Sequence, residues 1–85
     1  MTQMSMAYYV RECGGSWKKA ESHHEHAIRT YIHTYVCPGE EPPSGIVCAS
    51  HGEHICMVRV TPIDKSLYKL QYSYGEILEL YVPAY

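Results

Sequence analysis

The chain has 85 residues, 46 % hydrophobic and 19 % charged, which fits one small folded domain and excludes a disordered tail. Seven Lys and Arg stand against nine Asp and Glu, a formal charge of −2, so the overall basic excess of a phosphate-binding protein is missing and direct nucleic-acid binding is disfavoured. No apolar run reaches the ~18 residues a membrane span needs, and the start MTQMSMAYYV has no basic segment leading into an apolar one. These features lead us to expect a cytoplasmic, single-domain protein over residues 1–85.

Residues 1–5 read as a leader. Tyr8, Tyr9 and Val10 are strand formers, and Gly14-Gly15 behind them predicts a hairpin with a type I′ turn, returning through Ser16 to Ala20 with the only Trp of the chain. Ser22 and Glu25 fit a capping box. Ala27, Ile28, Tyr31, Ile32 and Tyr35 then form one apolar stripe, so the spacing predicts a helix from about His23 to Val36, stopped by Pro38-Gly39. The stretch CPGEEPPSG over residues 37–45 reads as an exposed acidic loop rich in Pro and Gly.

Beyond it the pattern is that of sheet. Ile46–Ala49 and His54–Thr61 flank Ser-His-Gly-Glu, a hairpin centred near Gly52, and Pro62-Ile63-Asp64-Lys65 reads as the next turn. Leu67–Tyr74 alternates, with Tyr68, Leu70, Tyr72 and Tyr74 on one face. Ile77–Val82 alternates as well, and Pro83 ends it. The expected fold is α+β: one helix packed on a four- to five-stranded antiparallel sheet in the order ββαββββ. Its core would hold Ile28, Tyr31, Ile32, Tyr35, Val58, Val60, Leu70, Tyr72, Leu78, Leu80 and Val82. The helix covers only one face, which leaves Met57, Arg59, Lys69, Gln71, Glu79 and Tyr81 on the other.

Among side chains that carry chemistry, Cys48, His51, His54 and Cys56 form the densest group, spaced C-x2-H-x2-H-x-C. Thiolates and imidazoles are zinc's preferred donors, and a hairpin centred on Gly52 would set positions 48 and 56 opposite each other. Nine residues on a tight hairpin leave little freedom for tetrahedral angles. The competing reading makes Cys56 a core residue beside Val58 and Val60, with the histidines as polar turn residues, and expects no cofactor. His23, His24 and His26 crowd the first helical turn, where the helix dipole disfavours their protonated form, and read as a solvated face.

Catalysis finds no support. No local signature marks a nucleophile, Glu76 and Glu79 point to opposite faces of a strand, and no GxGxxG, P-loop, HExxH or EF-hand pattern occurs. Nucleic-acid modules use sheet faces with exposed rings, but the last forty residues hold only Arg59, Lys65 and Lys69 as cations. The remaining class is protein–protein interaction, for which nine Tyr offer large contact area at low rotamer cost. The expected partner-binding residues are Arg59, Glu79 and Tyr81 on the uncovered sheet face and Glu40 and Glu41 on the acidic loop.

The segment AYYVRECGGSWKKAESHHEHAIRTYIHTYV sets a strand and turn before an A-E-S cap and an A-I-x-x-Y-I helix. With its Met-spaced start and compact tail of strands, the chain resembles the small proteins that phages encode against host defences, including anti-CRISPR proteins. The resemblance implies a stoichiometric inhibitor in the host cytoplasm, with a multisubunit nucleic-acid-targeting complex as its partner. At a charge of −2 it departs from strongly acidic DNA mimics, so steric occlusion is the mode it implies.

Overall fold

The structure, a computed structural model, describes residues 8–51 and 53–83, without the side chains of residues 51 and 54. The leader expected over residues 1–5 therefore lies outside the described residues. Strands β1 (Tyr9–Arg11) and β2 (Lys18–Lys19) precede helix α1 (Ser22–Tyr35). Strands β3 (Gly45–His51), β4 (His54–Asp64), β5 (Leu67–Tyr72) and β6 (Ile77–Tyr81) follow it. The fold is the expected α+β arrangement, ββαββββ, but the antiparallel sheet has six strands instead of four to five, in the order β2-β1-β6-β5-β4-β3, because the N-terminal hairpin joins it beside β6.

The helix forms where the apolar stripe put it, but it begins differently. Glu21 occupies the N-cap and its carbonyl accepts the amides of His24 and Glu25 at 3.0 and 3.1 Å, with no side-chain cap. The expected capping box between Ser22 and Glu25 is thus not made, because Ser22 already lies inside the helix. Glu25 instead faces Arg29 at 3.6 Å, an i,i+4 pair. Ala27, Ile28 and Tyr31 are buried against the sheet, while Ile32, Tyr35 and Val36 pack at its margin. Burying an Ile side chain fully contributes about 1.5–3 kcal/mol, and Ile28 is fully buried.

The first hairpin also differs from expectation. Its turn is closed by the Gly15 amide donating to the Glu12 carbonyl at 2.8 Å. Of its two glycines only Gly14, at φ 76°, adopts positive φ. A type I′ turn needs positive φ at both central residues, so the Gly-Gly pair does not form one. Pro62, expected in a turn, lies within β4, which runs on to Asp64 through a shift in register between Pro62 and Asp64. Such an irregularity tolerates a residue with no N–H to donate.

Strand alternation sorts the side chains onto two faces. Val10, Leu80, Leu78, Tyr68, Leu70, Tyr72, Val58, Val60, Val47 and Ala49 lie on the face under the helix and are buried. Gly45 brings that face close to α1, since a Cβ there would sit 2.5 Å from the Tyr35 ring. Gly45 therefore belongs to β3 and is buried, whereas the loop before it is mostly exposed. Of the expected core, Ile32, Tyr35 and Val82 are partly buried and the rest fully so. The core also takes in Tyr8, Val10 and Ala20 from the N-terminal hairpin, because β1 lies beside β6 with Val10 opposite Leu80.

Candidate functional site

The face away from the helix carries the features that point to recognition. Tyr9 on β1 lies opposite Tyr81 on β6 and Lys19 on β2, so all three point outward together. Trp17, two residues before Lys19, meets the edge of Tyr81 with ring centroids 6.3 Å apart. Tyr9, Trp17 and Tyr81 are 40, 40 and 41 % exposed. Together they line a shallow cavity of about 370 Å³. Arg11, one rung along the same strand face, holds its guanidinium 4.4 Å over the Trp17 ring. Its Nε donates to Glu79 Oε1 at 2.6 Å. One cation therefore bridges a ring face and a carboxylate, which fixes the indole's position before any partner arrives.

Further along the face the character turns aliphatic. Ile46, Ile55, Met57 and Ile77 are all exposed. Cys48, also exposed, places its Sγ 3.6 Å from Met57 Sδ. Arg59 stands opposite both Ile46 and Gln71.

The expected partner-binding residues are distributed over this surface in a definite way. Glu79 and Tyr81 share β6 and the open face, and Lys69 and Leu67 are their partners on β5. Arg59 lies on the same face but two strands away, with β5 between it and β6. Tyr9, Arg11 and Trp17 complete the cluster and were not singled out from sequence. Glu40 and Glu41 are exposed on the loop before β3, where the Glu40 amide donates to the Cys37 carbonyl at 3.2 Å. Glu41 and Pro42 face Pro62, Ile63, Asp64, Lys65 and Tyr68 across a second shallow cavity.

The Cys48, His51, His54 and Cys56 group meets a register different from the expected one. Cys48 pairs with Met57, Ala49 with Cys56, and His51 with His54. A centre on Gly52 would have set Cys48 opposite Cys56; the actual register differs by one residue and turns the two thiols to opposite faces. Cys48 is exposed on the open face, while Cys56 is buried under the helix and donates to the Ala49 carbonyl at 3.6 Å. The side chains of His51 and His54 lie outside the described residues. Among the described residues no group of three or more His, Cys, Asp or Glu comes together to hold a metal ion.

A second polar cluster runs from the core to the surface. His24, on the first turn of α1, is buried and not on the solvated face expected of it, and it shares a hydrogen bond between its Nδ1 and the Tyr72 hydroxyl. Tyr72 packs against Tyr74 at 5.3 Å, and the Tyr74 hydroxyl donates to Glu76 at 2.7 Å. Burial, then the charges of Tyr74 and Glu76, hold the Tyr72 phenol well above its ordinary range. The Tyr31 hydroxyl donates to the Pro43 carbonyl at 2.6 Å and so ties the loop to the helix. Burial raises the Tyr31 phenol, aided by Tyr68. These tyrosines hold helix, loop and sheet together. Those on the open face hold nothing under the helix and face outward.

Among the described residues, no helix is long and apolar enough to cross a membrane. Comparison of the chain with protein-family models, with curated proteins and with solved structures finds no match.

Proposed function

We propose that this chain is a non-enzymatic protein-binding domain that docks a partner through the sheet face opposite its helix. The observation that carries the reading is the group of Tyr9, Trp17 and Tyr81, three rings each about two-fifths exposed and held together beside the Arg11–Glu79 pair. Interface hot spots are enriched in Trp, Tyr and Arg. Covering the exposed part of three such rings would contribute on the order of 6 kcal/mol before the costs of association. The aliphatic side chains Ile46, Ile55, Met57 and Ile77 extend the same face and suit a protein surface.

The narrower reading is occlusion of a host nucleic-acid-targeting defence complex by a phage-type inhibitor. It is supported by the resemblance in size and layout to that group, and by a face that can be covered without any chemistry at a pocket. Capture from a bacterial lysate, with wild type and Tyr81→Ala compared by quantitative mass spectrometry, tests both levels. A complex retained by wild type and lost by Tyr81→Ala is the expected result, and its identity decides the narrower reading. Equal retention by the two proteins would remove this face from the account.

A further inference from the structure

The charges of the chain are unevenly divided between its two sides. The open face carries Arg11 and Lys19 from the N-terminal hairpin and Arg59 and Lys69 from the C-terminal strands, while its carboxylates on strands are Glu79 and, at the end of β4 opposite Leu67, Asp64. That is four of seven cations and two of nine carboxylates. The strand residues of the face thus sum to +2 in a chain of −2, leaving −4 for the remainder. Glu79 is already engaged by Arg11. Lys69 and Arg59 lie on neighbouring strands, offset by two residues, since Arg59 pairs with Gln71. Diagonal neighbours of that kind sit roughly 7–8 Å apart. Lys69 stands directly opposite Glu79, whereas the residues opposite Arg59 are Ile46 and Gln71, so an anionic partner surface supplies the carboxylate that Arg59 lacks in its own register.

We infer that the partner meets this face with an acidic patch of a protein, set against Lys69 and Arg59 and bordered by apolar side chains. The inference rests on the docking reading above and names the partner's chemistry. A protein is favoured over a nucleic-acid strand because the cations are flanked by Ile46, Met57 and Ile77, all exposed, which need apolar contact that a sugar–phosphate chain does not supply. The arrangement also gives the encounter a direction: the positive face steers toward an acidic surface, and the negative remainder turns away from it.

A random-peptide display library selected on the immobilised chain tests this directly. Enriched peptides should combine Asp or Glu with apolar residues. They should bind about tenfold more weakly to each of Lys69→Glu and Arg59→Glu, the size of one lost and reversed charge contact. Added salt should weaken them as well. Lys69→Gln should fall between wild type and Lys69→Glu, and because these side chains stand on the open face the variants should melt with wild type. Neutral or basic peptides, or acidic ones indifferent to both charge reversals, would overturn the inference. Should such peptides still be lost on Tyr81→Ala, the docking reading survives without it. Peptides indifferent to Tyr81→Ala, or no enrichment at all, would bring down both. A parallel titration with oligothymidylate reads the fluorescence of Trp17, the only Trp in the chain. Salt-sensitive quenching there would assign the face to single-stranded nucleic acid and overturn the acidic-protein inference.

Discussion

Replacing Gly45 with Ala should destabilise the protein through one side chain, Tyr35. Gly45 does not adopt positive φ, so the backbone accepts Ala without strain. The new Cβ, however, would lie 2.5 Å from Tyr35 Cδ2 and Cε2 and 2.8 Å from Cζ. Comfortable carbon–carbon contact lies near ~3.5–4.0 Å, so the ring must move by about an ångström. It is stacked on Tyr31 at 5.6 Å and donates its hydroxyl to the Ile46 carbonyl at 3.2 Å. Losing the stacking costs about 0.5–1.5 kcal/mol, and losing the exposed hydrogen bond about 0.5 kcal/mol. Removing a glycine from the unfolded chain offsets ~0.4–1 kcal/mol. The net loss should be about 1 kcal/mol, measured by urea denaturation. In a Tyr35→Ala background the obstacle is gone, and Gly45→Ala should become stabilising by ~0.4–1 kcal/mol. An equal effect in both backgrounds would refute the proposed close approach.

Further expectations follow from the buried tyrosines and the thiols. Tyr72→Phe removes a hydrogen bond to His24 and should cost about 1–2 kcal/mol in the same denaturation assay. Tyr31, Tyr68 and Tyr72 have phenols raised above the ordinary 10.0, burial being the largest cause in each. Between that value and the raised one the folded state holds protons the unfolded chain has released, so the tyrosines' contribution to stability should be constant below about pH 10 and fall as pH climbs above it. Urea midpoints across that range check the sign, and the fall should be shallower in Tyr72→Phe. Under native conditions Cys13, Cys37 and Cys48 should react with a thiol reagent, while Cys56 should react only after unfolding. Rapid native labelling of Cys56 would contradict the register that places it under the helix.

The sequence made visible what depends on neighbours along the chain. The stripe from Ala27 to Tyr35 sufficed for the helix, and the alternation in β5 and β6 sorted Leu70, Leu78 and Leu80 inward and Glu79 and Tyr81 outward. What it did not reveal depends on pairing between distant segments. Nothing local says that β1 lies beside β6, so Trp17, Tyr9 and Arg11 could not be joined to Tyr81. For the same reason the shortage of cations near the C-terminus concealed a face to which the N-terminal hairpin adds Arg11 and Lys19. The hairpin after β3 shows how little is needed to mislead. A centre misplaced by half a residue shifts the pairing by one and parts Cys48 from Cys56 by the thickness of the sheet.

The central claim, that a partner docks over the aromatic cluster, is tested most directly by the accessibility of Trp17. Its indole is two-fifths exposed in the free chain, and no other Trp contributes to the chain's emission. Collisional quenching by acrylamide should be measured for the chain alone and bound to its captured partner, with a biosynthetic label on Trp17 separating its signal from the partner's. The account predicts that the partner protects Trp17 strongly, and that Tyr81→Ala abolishes the protection by abolishing binding. A stable complex in which Trp17 is quenched as readily as in the free chain would contradict it.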